Sequence, residues 1–154
     1  MKHMFTFLVV AFLATGILKA AVGDTFTVDG IEYVILSEDP NEVAVGESVS
    51  FGGTTANIPA TVMNGATTYT VTALADYGLS LKPSLTSVTL PETVKKIGAH
   101  ALRDTGITSM LIPNSVDTIE AFAFYGCTAL TSVELGNGVK FMGSYTFEAC
   151  SNLQ

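Results

Sequence analysis

The sequence contains few charged and few chemically reactive side chains. Charged residues make up 14% of the 154 residues, with 7 Lys and Arg against 14 Asp and Glu. A chain so poor in basic residues repels phosphate backbones, so the sequence predicts no nucleic-acid partner. Because 48% of the residues are hydrophobic, the low charge indicates a folded chain rather than a disordered one.

Groups that carry catalysis or bind metals are also scarce. There are 2 His, and His100 falls at a repeat position otherwise held by aromatic residues. No Gly-x-Ser-x-Gly turn or phosphate-binding glycine loop accompanies it, and one His with two Cys has no known metal-ligand spacing. One acidic cluster lacks the spacing of a calcium loop and is interpreted as a solvated loop: Glu38, Asp39, Glu42 and Glu47. The sequence therefore predicts no enzyme, no cofactor and no metal.

No apolar run is long enough for a membrane-spanning helix. Residues 4–18 form an uncharged apolar run of 15, whereas such a helix needs about 20 residues. A short basic start precedes the run and small residues follow it, with cleavage expected after Ala20, so a secretory signal peptide is favoured over residues 1–20. A retained amino-terminal anchor is the alternative. Cleavage would leave a secreted or cell-surface chain with a net charge of 5 − 14 = −9.

Residues 21–70 have the pattern of a small antiparallel β region. Asp29-Gly30 and Asn64-Gly65 are two-residue turn signals beside β-branched and aromatic stretches. Between them, four apolar residues alternate with small or polar neighbours: Val43, Val45, Val49 and Phe51. We expect hairpins at residues 24–36 and 60–71, which together cover the apolar end of the array that follows.

One six-residue phrase recurs through the rest of the chain. Its form is apolar-Thr-Ser-apolar-x-apolar, and it begins at Leu85, Ile107 and Leu130, at intervals of 22 and 23 residues. Recurrence at such an interval is typical of a solenoid. Four apolar columns keep this register: Leu74, Ile97, Ile119 and Met142; Leu79, Leu102, Phe124 and Phe147; Leu85, Ile107, Leu130 and Leu153; Val71, Val94, Val116 and Val139.

These columns predict a stacked architecture. A coil of about 23 residues cannot bury its apolar face alone, and stacking joins each column into a continuous interior. The Leu-x-x-Val-x-Leu phrase matches the strand of a leucine-rich repeat, and the Ala- and Phe-rich residues 119–125 suit a short helical turn. We therefore predict a repeat solenoid over residues 71–154, with parallel β-strands, short helical turns and about four coils.

The stretch from Ile112 to Val133 resembles the BspA-type leucine-rich repeat. It reads Ile-Pro-Asn-Ser-Val-Asp-Thr-Ile-Glu-Ala-Phe-Ala-Phe-Tyr-Gly-Cys-Thr-Ala-Leu-Thr-Ser-Val. That family's pattern runs roughly Ile-Pro-x-Ser-Val-x-x-Ile-Gly-x-x-Ala-Phe-x-x-Cys-x-x-Leu-x-x-Val. Single coils depart from it at Glu120, Gly136 and Thr146, and the coil from Leu85 lacks the Cys. The resemblance implies a secreted or surface protein of a host-associated bacterium, used in adhesion or protein binding, although protozoan surface proteins share the pattern.

Two surfaces are candidates for binding a partner. The first is the outward face of the strands: Ser87, Thr89, Ser109, Leu111, Ser132 and Glu134. The second is a column of rings at coil spacing: Tyr77, His100, Phe122 and Tyr145. If those rings face outward, they form a stacking surface for a peptide or glycan. If they face inward they are packing, which is the interpretation we favour because aromatic stripes are usually structural.

The 2 cysteines, Cys127 and Cys150, are equivalent residues of adjacent coils. We expect their Cα atoms about 5 Å apart, within the range of a disulfide, and secretion would permit oxidation. The favoured alternative is two buried thiols, because the Cys column of the family that the chain resembles is interior and a buried Cys packs as a small hydrophobe.

The sequence thus predicts a secreted or cell-surface repeat protein that binds protein and has no catalytic activity. The alternatives are a structural spacer and a non-catalytic binding module of a larger secreted protein. Because the chain stops at Gln154, two residues into a further strand phrase, we expect that the carboxyl-terminal part is missing.

Overall fold

The structure is a computed structural model that describes residues 20–154. The predicted signal peptide therefore lies outside the described residues, apart from Ala20. The described chain has twelve strands: β1 Thr25–Val28, β2 Ile31–Glu38, β3 Asn41–Val45, β4 Thr55–Asn57, β5 Thr61–Asn64, β6 Thr67–Leu74, β7 Ser87–Thr89, β8 Lys96–Ile97, β9 Ser109–Ile112, β10 Thr118–Ile119, β11 Ser132–Leu135 and β12 Phe141–Met142. Within residues 20–154 there is no α-helix, and hence none of the length and apolarity that a membrane span requires.

Both expected hairpins are present. β1 pairs antiparallel with β2, from Thr25 beside Val34 to Val28 beside Ile31. Asp29 and Gly30 link them with φ of 51° and 79°, the positive values that a tight hairpin turn of this kind requires. β5 pairs antiparallel with β6, and the residue at its tip with positive φ is Gly65, at 60°.

The antiparallel strands continue directly into a parallel array. One sheet runs in the order β1-β2-β3-β6-β8-β10-β12, and the pairs from β3 onward are parallel. On another side of the coils, β9 pairs in parallel with β11, and β4 with β7. Sequence reasoning missed β4, which brings a parallel strand into the array ahead of residue 71. The predicted count of four coils is therefore not confirmed, although the parallel leucine-rich repeat architecture is.

The four apolar columns form the interior. All members from the first three coils, such as Leu74, Leu102 and Val116, have an exposed fraction of 0%. Burying a side chain of this size contributes about 1.5–3 kcal/mol, so the columns are a substantial source of stabilisation. In the fourth coil the burial is incomplete: Met142 is 41% exposed, and Phe147 and Leu153 are partly buried.

The predicted short helical turns are not confirmed, because in the described chain these segments are non-helical turns. Each contains a residue in the left-handed region of the backbone: Tyr77 at φ 59°, His100 at 56°, Phe122 at 60° and Tyr145 at 59°. A right-handed helix does not contain such residues. The sequence pattern of residues 119–125 does not reveal this, because aromatic residues rarely adopt positive φ.

The turns instead pair with one another across the coils. The Leu79 N–H donates to the Ala101 carbonyl at 2.8 Å, and the Leu102 N–H donates to the Ala123 carbonyl at 2.8 Å. In a helix those N–H groups would bond four residues back along the same coil. The turn face is therefore a third hydrogen-bonded wall, in which each coil holds the next.

Candidate binding surfaces

The outward side chains of the strands form an exposed and mostly polar face. In one row, Thr55 lies beside Ser87 and Ser109 beside Ser132; in the next, Asn57 lies beside Thr89 and Leu111 beside Glu134. All of these residues are exposed, and Leu111 is 61% exposed. β7 and β9 are neighbours, since the Thr108 N–H donates to the Thr86 carbonyl at 3.3 Å. The structure thus brings the six predicted strand-face residues onto one surface.

The two-residue period of the strands produces this face. Val88 and Met110 lie between the outward residues, and they are 7% and 3% exposed. In an extended strand neighbouring side chains point to opposite sides, so burial of these residues directs their polar neighbours to solvent. The alternation in the repeated phrase predicts which side chains of β7 and β9 are exposed.

A shallow depression lies between β9 and β11. Its volume is about 260 Å³, and its outward lining residues are Ser109, Leu111, Ser132 and Glu134. Two hydroxyls, one aliphatic side chain and one carboxylate provide hydrogen bonds, a small apolar contact and a single charge. Such a lining can contact a partner surface, but it holds no nucleophile with a base beside it.

A column of threonines beside this face was missed as a candidate site. Its members are exposed in every coil: Thr54, Thr86, Thr108 and Thr131. The Thr86 hydroxyl donates to the Thr54 carbonyl at 3.1 Å, and the Thr131 hydroxyl donates to the Thr108 carbonyl at 2.9 Å. The invariant Thr of the three phrases was the available signal. These hydroxyls join successive coils, so the column has a structural role as well as an exposed position.

The predicted aromatic column is a continuous stack of rings. The ring centroids of Tyr77 and His100 are 4.7 Å apart with an interplanar angle of 8°, and those of His100 and Phe122 are 4.9 Å apart at 4°. Tyr145 continues the stack 5.2 Å from Phe122 at 22°. Tyr77 and Tyr145 are 44% and 59% exposed, while His100 and Phe122 are partly buried.

This geometry limits what the column can bind. At these separations the rings are in stacking contact, so each inner ring has both faces occupied by its neighbours. A sugar or a planar side chain that stacks on a face can approach only the outer faces of Tyr77 and Tyr145. Along the column, only ring edges remain open to solvent, which favours packing as the role of the inner rings.

His100 lies within the stack without polar support. Its Nδ1 atom is buried and has no hydrogen-bond partner. A general base needs an orienting group and a reacting proton within hydrogen-bond distance, and here both faces of the ring contact aromatic neighbours. In residues 20–154 no group of three or more His, Cys, Asp and Glu is arranged to hold a metal ion.

Both cysteines are free thiols in the structure. Cys127 is buried and its Sγ contacts the Leu102 carbonyl at 3.1 Å, while Cys150 is partly buried and its Sγ contacts the Phe124 carbonyl at 3.1 Å. Burial raises the pKa of both thiols. Thr105 stands at the same repeat position in the coil without a Cys, with its Oγ1 3.3 Å from Cys127 Sγ. Thr105, Cys127 and Cys150 thus form an internal column of side chains that contact backbone carbonyls.

Comparisons with known proteins agree with this architecture. A leucine-rich repeat protein from Bacteroides capillosus has 24% identity and a TM-score of 0.51, over 72% of this chain and 97% of that one. The pneumococcal vaccine antigen PcpA has 18% identity and a TM-score of 0.54, over 79% of this chain and 40% of its own. Among curated proteins, none matches the chain. Residues 68–154 match the family described as the BspA-type leucine-rich repeat region of six copies. The chain belongs to that family.

Proposed function

We propose that the protein is secreted or displayed on the cell surface, where it binds a protein partner and performs no catalysis. Leucine-rich repeat folds generally mediate protein interactions, through the extended surfaces that stacked coils provide. The observation that carries the proposal is the strand face, where exposed side chains from consecutive strands keep one register. Adhesion to a host or bacterial surface is the setting that we propose for this binding.

The domain arrangement is part of the same proposal. Residues 1–20 are the signal peptide, residues 21–70 are a leader that covers the first coil, and residues 71–154 are the repeat array. The pairing of β3 with β6 supports a covering role, because it joins the antiparallel strands to the edge of the array. Amino-terminal sequencing of the secreted protein tests the cleavage site, and the expected first residue is Ala21.

A binding assay with a matched surface control tests the strand face. Immobilised fibronectin, laminin and collagen serve as probes for the wild-type protein and for a variant with Ser109→Ala, Leu111→Ala and Glu134→Ala. We expect the triple variant to lose at least about tenfold in affinity for whichever probe binds, because one or two central contacts usually dominate an interface.

The control variant carries Lys95→Ala, Lys140→Ala and Ser144→Ala, which are exposed residues outside the strand face. It should bind as the wild type does. Equal affinity of the wild type and the strand-face variant would overturn the proposed site. Failure to bind any of these probes would overturn adhesion to these matrix proteins.

A further inference from the structure

An apolar cleft lies at the amino-terminal end of the ring stack. Its volume is about 290 Å³, and its lining includes Glu47, Val49, Tyr77, Leu81 and Lys82. We infer that this cleft binds an aromatic side chain, flanked by basic residues, of a partner protein. The bound ring stacks on the outer face of Tyr77 and extends the stack by one member.

The cleft exists because one turn is two residues shorter than its neighbours. Val45 lies beside Leu74 in the sheet, and the Ser48 N–H donates to the Gly78 carbonyl at 3.0 Å. Leu79 makes the corresponding bond in the next coil, to the Ala101 carbonyl at 2.8 Å. Two residues, Gly46 and Glu47, thus span the part of the turn that four residues, 75–78, span in the next coil.

The shortened turn has no residue at the position of the aromatic column. Tyr77 stacks on His100 with one face, and among the described residues no other ring stacks on its opposite face. Tyr77 is 44% exposed and lines the cleft. The outer face of this ring is therefore available for a flat group.

Two exposed aliphatic side chains form part of the cleft wall beside Tyr77. Val49 is 83% exposed and Leu81 is 67% exposed, and both line the cleft with Tyr77. Exposed apolar side chains gathered around a concavity indicate a binding site more than single exposed residues do. A cavity of about 150 Å³ holds benzene, so the cleft has room for one ring and its attachment.

The polar groups of the cleft favour an aromatic side chain over a sugar. The Ser48 hydroxyl already accepts from the Glu32 N–H at 3.1 Å and donates to the Gly46 carbonyl at 3.2 Å. The Ser80 hydroxyl donates to the Tyr77 carbonyl at 3.0 Å. Glu47 and Lys82 are then the other polar side chains of the lining, and a sugar ring has more hydroxyls than these two can pair, which is unfavourable in a partly closed site.

Charge favours basic residues beside the aromatic anchor. The described chain has 5 Lys and Arg against 14 Asp and Glu, so its field attracts a basic partner segment. Glu47 lines the cleft, is exposed, and forms no ion pair with another described residue. Lys82 is the cation among the lining residues, so the preference for basic flanking residues rests on Glu47 and on the net negative charge of the described chain.

A titration with short peptides tests the cleft. The ¹⁵N-labelled protein is titrated with acetyl-Lys-Trp-Lys-amide and, separately, with acetyl-Glu-Trp-Glu-amide and maltotriose. We expect saturable shifts at the amides of Ser48, Tyr77 and Gly78 with the basic peptide. The acidic peptide should bind several-fold more weakly, and maltotriose should cause no saturable shift.

The variants Val49→Asn and Leu81→Asn should each weaken the basic peptide about tenfold, because each replaces an apolar side chain of the cleft with a polar one and leaves the net charge unchanged. Val49 is largely exposed, and Asn tolerates the left-handed backbone of Leu81, so neither change threatens the fold. Met63→Asn, at an exposed residue outside the cleft lining, is the control and should bind as the wild type does.

Absence of saturable shifts, an equal loss in the Met63→Asn variant, or tighter binding of maltotriose would each overturn the inference. The inference about the cleft rests on the proposed function only in taking the partner to be a protein. The two fail separately, because the matrix-protein assay tests the strand face and this titration tests the cleft with defined peptides.

Discussion

At the scale of single residues, equivalent positions of the coils carry different chemistry in the same place. Thr105, Cys127 and Cys150 occupy one column, and each contacts a backbone carbonyl: Leu102 for the first two and Phe124 for the third. A hydroxyl and a thiol are similar in size and both donate a proton. The Thr105 bond stays within its own coil, three residues back, whereas both Cys bonds cross to the preceding coil. The Thr therefore keeps a buried hydrogen bond but not the thiol link to the coil before it.

The two thiols should differ in reactivity. Cys127 is buried and Cys150 is partly buried, and burial raises the pKa of both. Since the thiolate is the reactive form, both should react with iodoacetamide more slowly than a cysteine peptide does, Cys127 the more so, and the rates should rise with pH. Mass spectrometry of the single-thiol variants Cys127→Ala and Cys150→Ala measures this, and faster labelling of Cys127 would contradict it.

Tyr33 should make stability depend on alkaline pH. It is 1% exposed, and burial raises its pKa to about 12. The folded state then holds the phenol proton above pH 10, where the unfolded chain releases it. Stability is therefore complete below about pH 10 and falls as pH rises toward 12, by up to about 2–3 kcal/mol.

Urea unfolding at pH 9 and pH 11.5 measures the loss, with Tyr33→Phe as the control. The Phe variant has no phenol proton to release, so its unfolding free energy should fall less between the two pH values. An equal fall in both proteins would show that another group causes the dependence.

At the scale of elements, the turn face combines backbone strain with ring stacking. Four aromatic-column residues adopt positive φ, which costs about 1–2 kcal/mol for a residue with a Cβ. Stacking of neighbouring rings contributes roughly 0.5–1.5 kcal/mol per pair beyond burial and offsets part of this. The stack and the unusual backbone therefore depend on each other.

Substitutions at Phe122 separate the two effects. Phe122→Ala removes the ring but keeps the strained backbone with a Cβ, and should lose about 1–3 kcal/mol of unfolding free energy. Phe122→Gly removes the ring and tolerates φ of 60°, so it should be more stable than the Ala variant by about 1 kcal/mol.

The control pair is Ser144→Ala and Ser144→Gly, beside the column at an exposed residue without positive φ. At Ser144 we expect the usual order of stability, in which the Ala variant is at least as stable as the Gly variant. Chemical denaturation of the four variants measures the order. If Ala were the more stable at Phe122 as well, the left-handed turn would not strain the backbone there.

At the scale of the whole molecule, coils contribute unequally although their columns are the same. Ile97 and Met142 occupy equivalent places, but Ile97 is 0% exposed and Met142 is 41% exposed. In stacked repeats the stability is a sum of coil and interface terms, so in a chain of residues 20–154 the coil around Met142 should open at lower free energy than the coil around Ile97.

Matched truncations test this gradient. Ile97→Ala should cost about 2–5 kcal/mol, as for other buried large-to-small changes, and Met142→Ala less than about 1 kcal/mol. Hydrogen exchange should likewise be slower at the Leu79 amide than at the Gly143 amide, although both are bonded across coils. Equal costs for the two substitutions would contradict the gradient.

The sequence by itself determined the repeat, its family pattern, the inward columns and the outward strand face. These follow from side-chain periodicity, because a residue such as Val88 must be buried wherever its coil stacks on another. The hairpin at Asp29 and Gly30 was predictable for a similar local reason, since the turn depends on the backbone preferences of two residues.

Only the tertiary structure decided how distant segments meet. β4 joined β7, the turns paired across coils rather than forming helices, and the rings of the aromatic column covered one another. The cleft beside Tyr77 depends on a turn shortened at Gly46 and Glu47, near a ring 30 residues further along the chain. Such features arise from hydrogen bonds and contacts between coils, which side-chain periodicity along one strand does not encode.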